Sequence, residues 1–154
     1  MEPEKDLYFV AVKLFLIDSA GHLLITKDRF GDYDLPGGRL RENDFAASLE
    51  DIAARKIKEE LGDSFRYALG RPVVFMRHER EEILADGRRE KRRIFALGYE
   101  AKYLGGDINL GHNHEKYEWV DLKIFKAENY FSGGWLQGIK DWQALPHERD
   151  AKKL

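Results

Sequence analysis

A chain of 154 residues with 43% hydrophobic and 12% aromatic content is long enough to bury a core, so it is read as one folded domain over residues 1–154. Its net charge of -2 gives no pull toward a nucleic-acid polymer or an anionic membrane, and the lack of cysteine excludes disulfides and thiolate metal sites. The acidic start "MEPEKD" is not a signal peptide. The longest apolar stretch, "LYFVAVKLFLI", is interrupted by Lys13 and is too short to span a bilayer, so a soluble cytoplasmic protein is expected.

Residues 7–17 are β-branched, aromatic and apolar, and predict a buried strand. "DSAGH" is a turn, and "HLLITKDR" the return strand of a hairpin. "FGDYDLPGG" reads as a loop, because Pro36 cannot donate to a ladder and Gly37 and Gly38 tolerate positive φ. A helix is predicted from about Ser48 to Leu61. Ser48 caps it, Glu50 and Asp51 suit its positive end, and Gly62 terminates it. Two strands follow, "PVVFMRH" and "RRIFALGYEAKYL", joined by a hairpin around "ADGRRE". A short strand, "YEWVDL", comes next. The last element is a helix, "GGWLQGIKDWQAL", with Trp135, Leu136, Ile139 and Trp142 on one face. This order predicts an α/β or α+β domain with a mixed sheet and helices.

On a helical wheel, Leu49, Ile52, Ala53, Ile57 and Leu61 form one apolar stripe. Glu60 falls near its middle and Lys56 at its inner edge, while Glu59 lies on the flank beside Arg55. A carboxylate on an apolar stripe needs a cation. Lys56 at i,i+4 can supply it, as Arg55 can for Glu59, each pair contributing about 0.2–0.5 kcal/mol on an exposed helix. Alternatively, both carboxylates hold a hard divalent ion, which prefers oxygen ligands and bridges to phosphates. The "LPGG" turn some twenty residues earlier favours the second reading.

Taken together, "LPGG" and "SLEDIAARKIKEELG" resemble the signature of the Nudix hydrolases, G-x5-E-x7-R-E-U-x-E-E-x-G-U, where U is a bulky apolar residue. Leu35, Pro36, Gly37, Gly38, Arg55, Ile57, Glu59, Glu60 and Gly62 match it. The resemblance implies an α/β/α sandwich with a mixed β-sheet between helices. It also implies metal-dependent cleavage of a pyrophosphate bond in a nucleoside diphosphate linked to another moiety. Glu59, Glu60, Arg55 and Glu115 are then the catalytic candidates. Glu59, Glu60 and Gly38 are the candidate ligands of Mg2+ or Mn2+, and Gly37, Gly38, Tyr33 and Arg29 are candidates for substrate binding. The expected partner is a small nucleotide derivative, and a homodimer is open.

Two departures stand out. The loop after Gly38 is about three residues longer than the signature allows. Asp44 keeps the five-residue spacing from Gly38 but stands ten residues before Arg55, whereas the residue seven before Arg55 is Ala47. The first signature glutamate is therefore either replaced by Asp44 or missing. The second departure is Lys56, in place of the glutamate of the R-E pair, often a metal ligand or the general base. A protonated lysine does neither job, which keeps a second reading open: a Nudix-fold module that binds a nucleotide or a protein without turning it over. Glu115 and Glu118 both lie near Trp119; Glu115 is the better candidate because it precedes the strand, while a solvent-facing place is an open alternative for Glu118. Tyr33 either stacks on a base or covers the core. The basic run "GRREKRR" either contacts phosphates or protects a strand edge.

Overall fold

The structure is a computed structural model, and it describes residues 1–146; residues 147–154 of the expected single domain lie outside the described residues. Seven strands and two helices form it. They are β1 (Phe9–Ile17), β2 (His22–Asp28), β3 (Tyr33–Asp34), β4 (Gly37–Arg39), α1 (Leu49–Leu61), β5 (Arg66–Ile83), β6 (Arg89–Gly105), β7 (His114–Asp121) and α2 (Gly133–Ala144). The strands make one curled mixed sheet in the order β3-β2-β1-β6-β5, with β4 also on β1 and β7 also on β2. β1 runs parallel to β6 and antiparallel to β4.

β1 reads as a continuous apolar run because helices cover both of its faces. Its alternate residues divide between two cores. Ala11 and Phe15 join Ile25, Met76, Ile139 and Trp142 beneath α2. Val12, Leu14 and Leu16 join Ile52, Ala53, Ile57 and Leu61 beneath α1. The apolar stripe of α1 is thus buried as the wheel required, and each fully buried aliphatic side chain contributes about 1.5–3 kcal/mol. On the other side Phe15 stacks on Trp142 at 4.5 Å. The result is the α/β/α sandwich expected from the resemblance.

The local signals also hold. Ser48 accepts the Asp51 N–H at the start of α1, and Gly62 ends the helix with positive φ. The hairpin of β5 and β6 is longer than its apolar stretches suggest, because the charged residues beyond them pair across the strands. Arg93 meets Glu79 at 2.9 Å, Lys91 meets Glu79 at 3.6 Å and Arg89 meets Glu81 at 3.7 Å. The basic run is spent largely on these neighbours.

One expectation fails. The stretch 30–38 is not all loop, since β3 pairs with β2 and β4 with β1. Pro36 sits between the two short strands and needs no donor, because its carbonyl accepts the Leu14 N–H at 2.8 Å. Gly37 then enters β4 at φ +133°, where a β-carbon would overlap the Val12 carbonyl. Gly37→Ala is therefore expected to destabilise the protein by about 3 kcal/mol or more, combining backbone strain with overpacking. Urea denaturation measures it; a loss under about 0.5 kcal/mol would show that β4 can shift away from β1 at little cost.

Candidate active site

The last turns of α1, the middle of β1, β4 and part of β5 meet the start of α2 around a cavity of about 510 Å³. Glu60 places its carboxyl there because the Gly37 N–H donates to its Oε2 at 3.0 Å, fastening the last turn of α1 to β4. Burial pushes this carboxyl up to about 7, against the opposing pull of Lys13 and of the Gly37 N–H. Lys56 lines the same cavity, half-buried. Burial lowers its pKa, with Arg41 adding to the effect. The i,i+4 pair expected between Lys56 and Glu60 does not close: among the described residues, no carboxylate oxygen lies within 4.0 Å of the Lys56 ammonium. The lysine chain lies over Gly38 instead.

Glu59 does meet Arg55, at 3.7 Å, and also Arg41, at 3.5 Å. It is exposed and outside the cavity lining. Arg55 is held in turn by Asp44, which is buried within a short 3-10 turn over Glu42–Asp44. Asp44 Oδ2 accepts from Arg55 Nη2 at 3.0 Å and from the Arg41 N–H at 2.7 Å. Of the two alternatives for the first signature glutamate, this contact favours its replacement by Asp44, and four residues separate the turn from α1. The Arg55 guanidinium holds the Asp44 carboxyl well below the usual carboxylate range.

Several residues of the cavity were not singled out in the sequence. Lys13, the apparent interruption in β1, is 6% exposed and donates to both oxygens of Asp34, at 2.9 and 3.0 Å, and to the Leu35 carbonyl at 3.3 Å. Its ammonium also lies 5.6 Å from the centre of the Trp135 ring. His78 stacks on Trp135 at 4.6 Å and accepts the Gly134 N–H at Nδ1. Tyr33 lines the cavity too and meets Tyr130 edge-on at 4.9 Å, so it is both a wall of the site and a cover for the core. Apart from the "interrupting" lysine itself, nothing local marks these residues, because strands and a helix distant in sequence bring them together.

Two candidates lie elsewhere. Arg29 is exposed, stands over the ring of Phe30 and is not among the lining residues. Glu115 is exposed on β7 and likewise outside the lining. Glu118, for which a solvent-facing place was the open alternative, has a buried Oε2 with no hydrogen-bond partner and stands opposite Ile25 of β2 in the ladder.

A hard divalent ion held by protein needs several oxygen donors at one point. Among the described residues no three acidic or histidine side chains converge on one point. Of the expected ligands, Glu60 faces the cavity, Glu59 is engaged by two arginines, and the Lys56 ammonium stands against Gly38. These residues do not fit a metal cage built by the protein alone.

A family model described as a NUDIX domain matches residues 7–136, and the chain belongs to the Nudix hydrolase family. A nucleoside triphosphatase NudI of Klebsiella pneumoniae (strain 342) is 27% identical over 117 residues, covering 72% of this chain and 81% of that protein. Among solved structures, a MutT protein from Methanosarcina mazei Go1 superposes with a TM-score of 0.65 at 19% identity, covering 91% of this chain and 96% of that one. An ADP-ribose pyrophosphatase from Streptococcus suis 89-1591 does so with a TM-score of 0.61 at 14% identity, covering 92% and 96%. These superpositions establish the shared fold.

Two pH effects follow. A folded-state pKa raised above the unfolded value means that the folded protein holds its proton longer, so Glu60 lowers stability as pH rises through about 4.5 to 7. Glu60→Gln should therefore raise the metal-free melting temperature at pH 8 by about 2 °C or more and leave it little changed at pH 4.5. An equal effect at both values would contradict the enclosed carboxyl. For Asp44 the sign is opposite: its lowered pKa stabilises the fold above the usual carboxylate range, and the contribution is lost on acidification below about pH 4. Asp44→Asn should melt lower than wild type at pH 7, with the gap narrowing toward pH 3.

Proposed function

We propose that the protein is a pyrophosphohydrolase acting on a nucleoside diphosphate linked to another moiety. The observation that carries this reading is the Glu60 carboxyl, fixed by the Gly37 N–H, in one cavity with the cations of Lys13 and Lys56 and the rings of Tyr33, Tyr130 and Trp135. Cations suit phosphates, and rings suit a base or sugar. Nucleoside triphosphates and ADP-ribose, named for the relative and the structural neighbour, both fall within this substrate class.

In the reaction, water attacks one phosphorus of the anhydride. The bond from that phosphorus to the bridging oxygen breaks, and the bridging oxygen leaves with the second phosphate. The water's proton passes to Glu60, the carboxylate placed in the cavity. Arg55 is a positioning residue: held by Asp44, it reaches Glu59 one turn along α1 and stiffens the helix end that carries Glu60. Family membership supports dependence on a divalent ion, with Mg2+ or Mn2+ as the expected one. Such an ion would find Glu60 as its one cavity-facing carboxylate among the expected ligands. β5 closes one end of the sheet, and this outer strand supports a homodimer. A cytoplasmic location accords with nucleotide substrates.

A second reading, a binding module without turnover, is favoured by one observation: Glu59 is committed to Arg41 and Arg55 rather than to the cavity. A panel of nucleoside triphosphates and nucleoside diphosphate sugars, incubated with Mg2+ or Mn2+ and analysed for products, separates the two. Hydrolysis is expected, and Glu60→Gln should lower kcat by about 10²-fold or more. No turnover of any member, with binding retained, would leave the binding module standing.

A further inference from the structure

The cations at this site are not equivalent. Lys13 is committed to both oxygens of Asp34, Arg39 to Glu82, Arg55 to Asp44 and Arg41 to Glu59. Lys56 and Arg80 of β5 differ from these, because among the described residues neither has a carboxylate oxygen within 4.0 Å, and of the two only Lys56 comes from α1 beside Glu60. Lys56 does not run out to solvent either. A β-carbon built on Gly38 would lie 3.0 Å from Lys56 Cε, 3.1 Å from Cδ and 3.2 Å from Nζ, so the end of the side chain occupies the space that a residue other than glycine would fill. Both residues line the cavity with Glu60. An ammonium kept beside backbone, unspent on any carboxylate and open to a cavity, is a site for an anion.

We propose that Lys56 binds a phosphate oxygen of the substrate directly, as a resident cation above Gly38, in the place where a carboxylate would otherwise hold a divalent ion. The proposal rests on the pyrophosphohydrolase reading of the same cavity and names the group that grips the phosphates. It accounts for the donor set, in which Glu60 alone of the expected carboxylate ligands faces the cavity and, among the described residues, no three acidic or histidine side chains converge on one point. It also makes part of the phosphate affinity independent of metal, because the positive charge is covalently part of the chain.

The test is calorimetric titration of the whole chain with inorganic pyrophosphate in EDTA, which reads binding without turnover. Wild type should bind. Lys56→Gln and Lys56→Met should each weaken binding by at least about tenfold, while Lys56→Arg should keep most of it. Lys56→Glu should remove binding in EDTA and, in a separate titration with Mn2+ alone, tighten ion binding by at least about tenfold. Melting curves confirm that each variant is folded; one that fails to fold is replaced by the other neutral substitution. Pyrophosphate affinity equal in wild type and folded neutral variants overturns the proposal, as does failure of wild type to bind without metal. Loss of hydrolysis with this pattern intact would overturn the enzymatic reading and leave the phosphate grip in place.

Discussion

The hydrogen bond from the Gly37 N–H to the Glu60 carboxylate is the constraint on which the site depends. It ties the end of α1 to the first residue of β4, and β4 is in turn laddered to β1. That chain of contacts sets the distance between helix and sheet at the cavity. It also requires glycine at residue 37, because any side chain there would meet the Val12 carbonyl. An acid within the apolar stripe of α1, which seems misplaced on a helical wheel, is thus the anchor of the cavity. Its desolvation is tolerated because a backbone donor and Lys13 offset it.

A second layer of charge surrounds this anchor and is organised by pairing. Asp44 holds Arg55, Arg55 and Arg41 hold Glu59, and Asp34 holds Lys13. Each pair reduces the number of groups available to a ligand. Of the charged groups that α1 brings to the cavity, the Glu60 carboxyl and the Lys56 ammonium stay available, one acid and one cation on successive turns. A lysine in an acidic helix end is consistent with a site that grips anions, since its long side chain carries the charge to Gly38 rather than back to the neighbouring acids.

Much of this was legible in the sequence where the signal is local. Ser48 and Gly62 bounded α1, and the spacing of Ile52, Ile57 and Leu61 gave its buried face. The glycine pair and the two glutamates marked the site because their identities and separation together are unusual. Asp44 stayed ambiguous because two spacings compete. Only the three-residue turn at Glu42–Asp44, with Asp44 on Arg55, favours the count from Gly38 over the count from Arg55. Lys13 and Asp34 were not legible as a pair, since they meet through the tertiary pairing of Lys13 with Gly37 of β4, which brings the segment just after β3 against β1. The role of Trp135 and His78 was hidden for a related reason: their stacking is a contact between α2 and β5. The short strands β3 and β4 escaped notice because turn residues dominate "FGDYDLPGG", and tertiary pairing with β2 and β1 overrode that local preference.

The central claim is that the space bounded by Gly38, Lys56 and Glu60 receives the phosphates. A crystal structure of the chain soaked with inorganic pyrophosphate in metal-free buffer tests it most directly. The account predicts a phosphate oxygen within hydrogen-bond distance of Lys56 Nζ, with the Glu60 carboxyl still on the Gly37 N–H. Pyrophosphate bound elsewhere, or Lys56 turned out to solvent with that space filled by water, would contradict it.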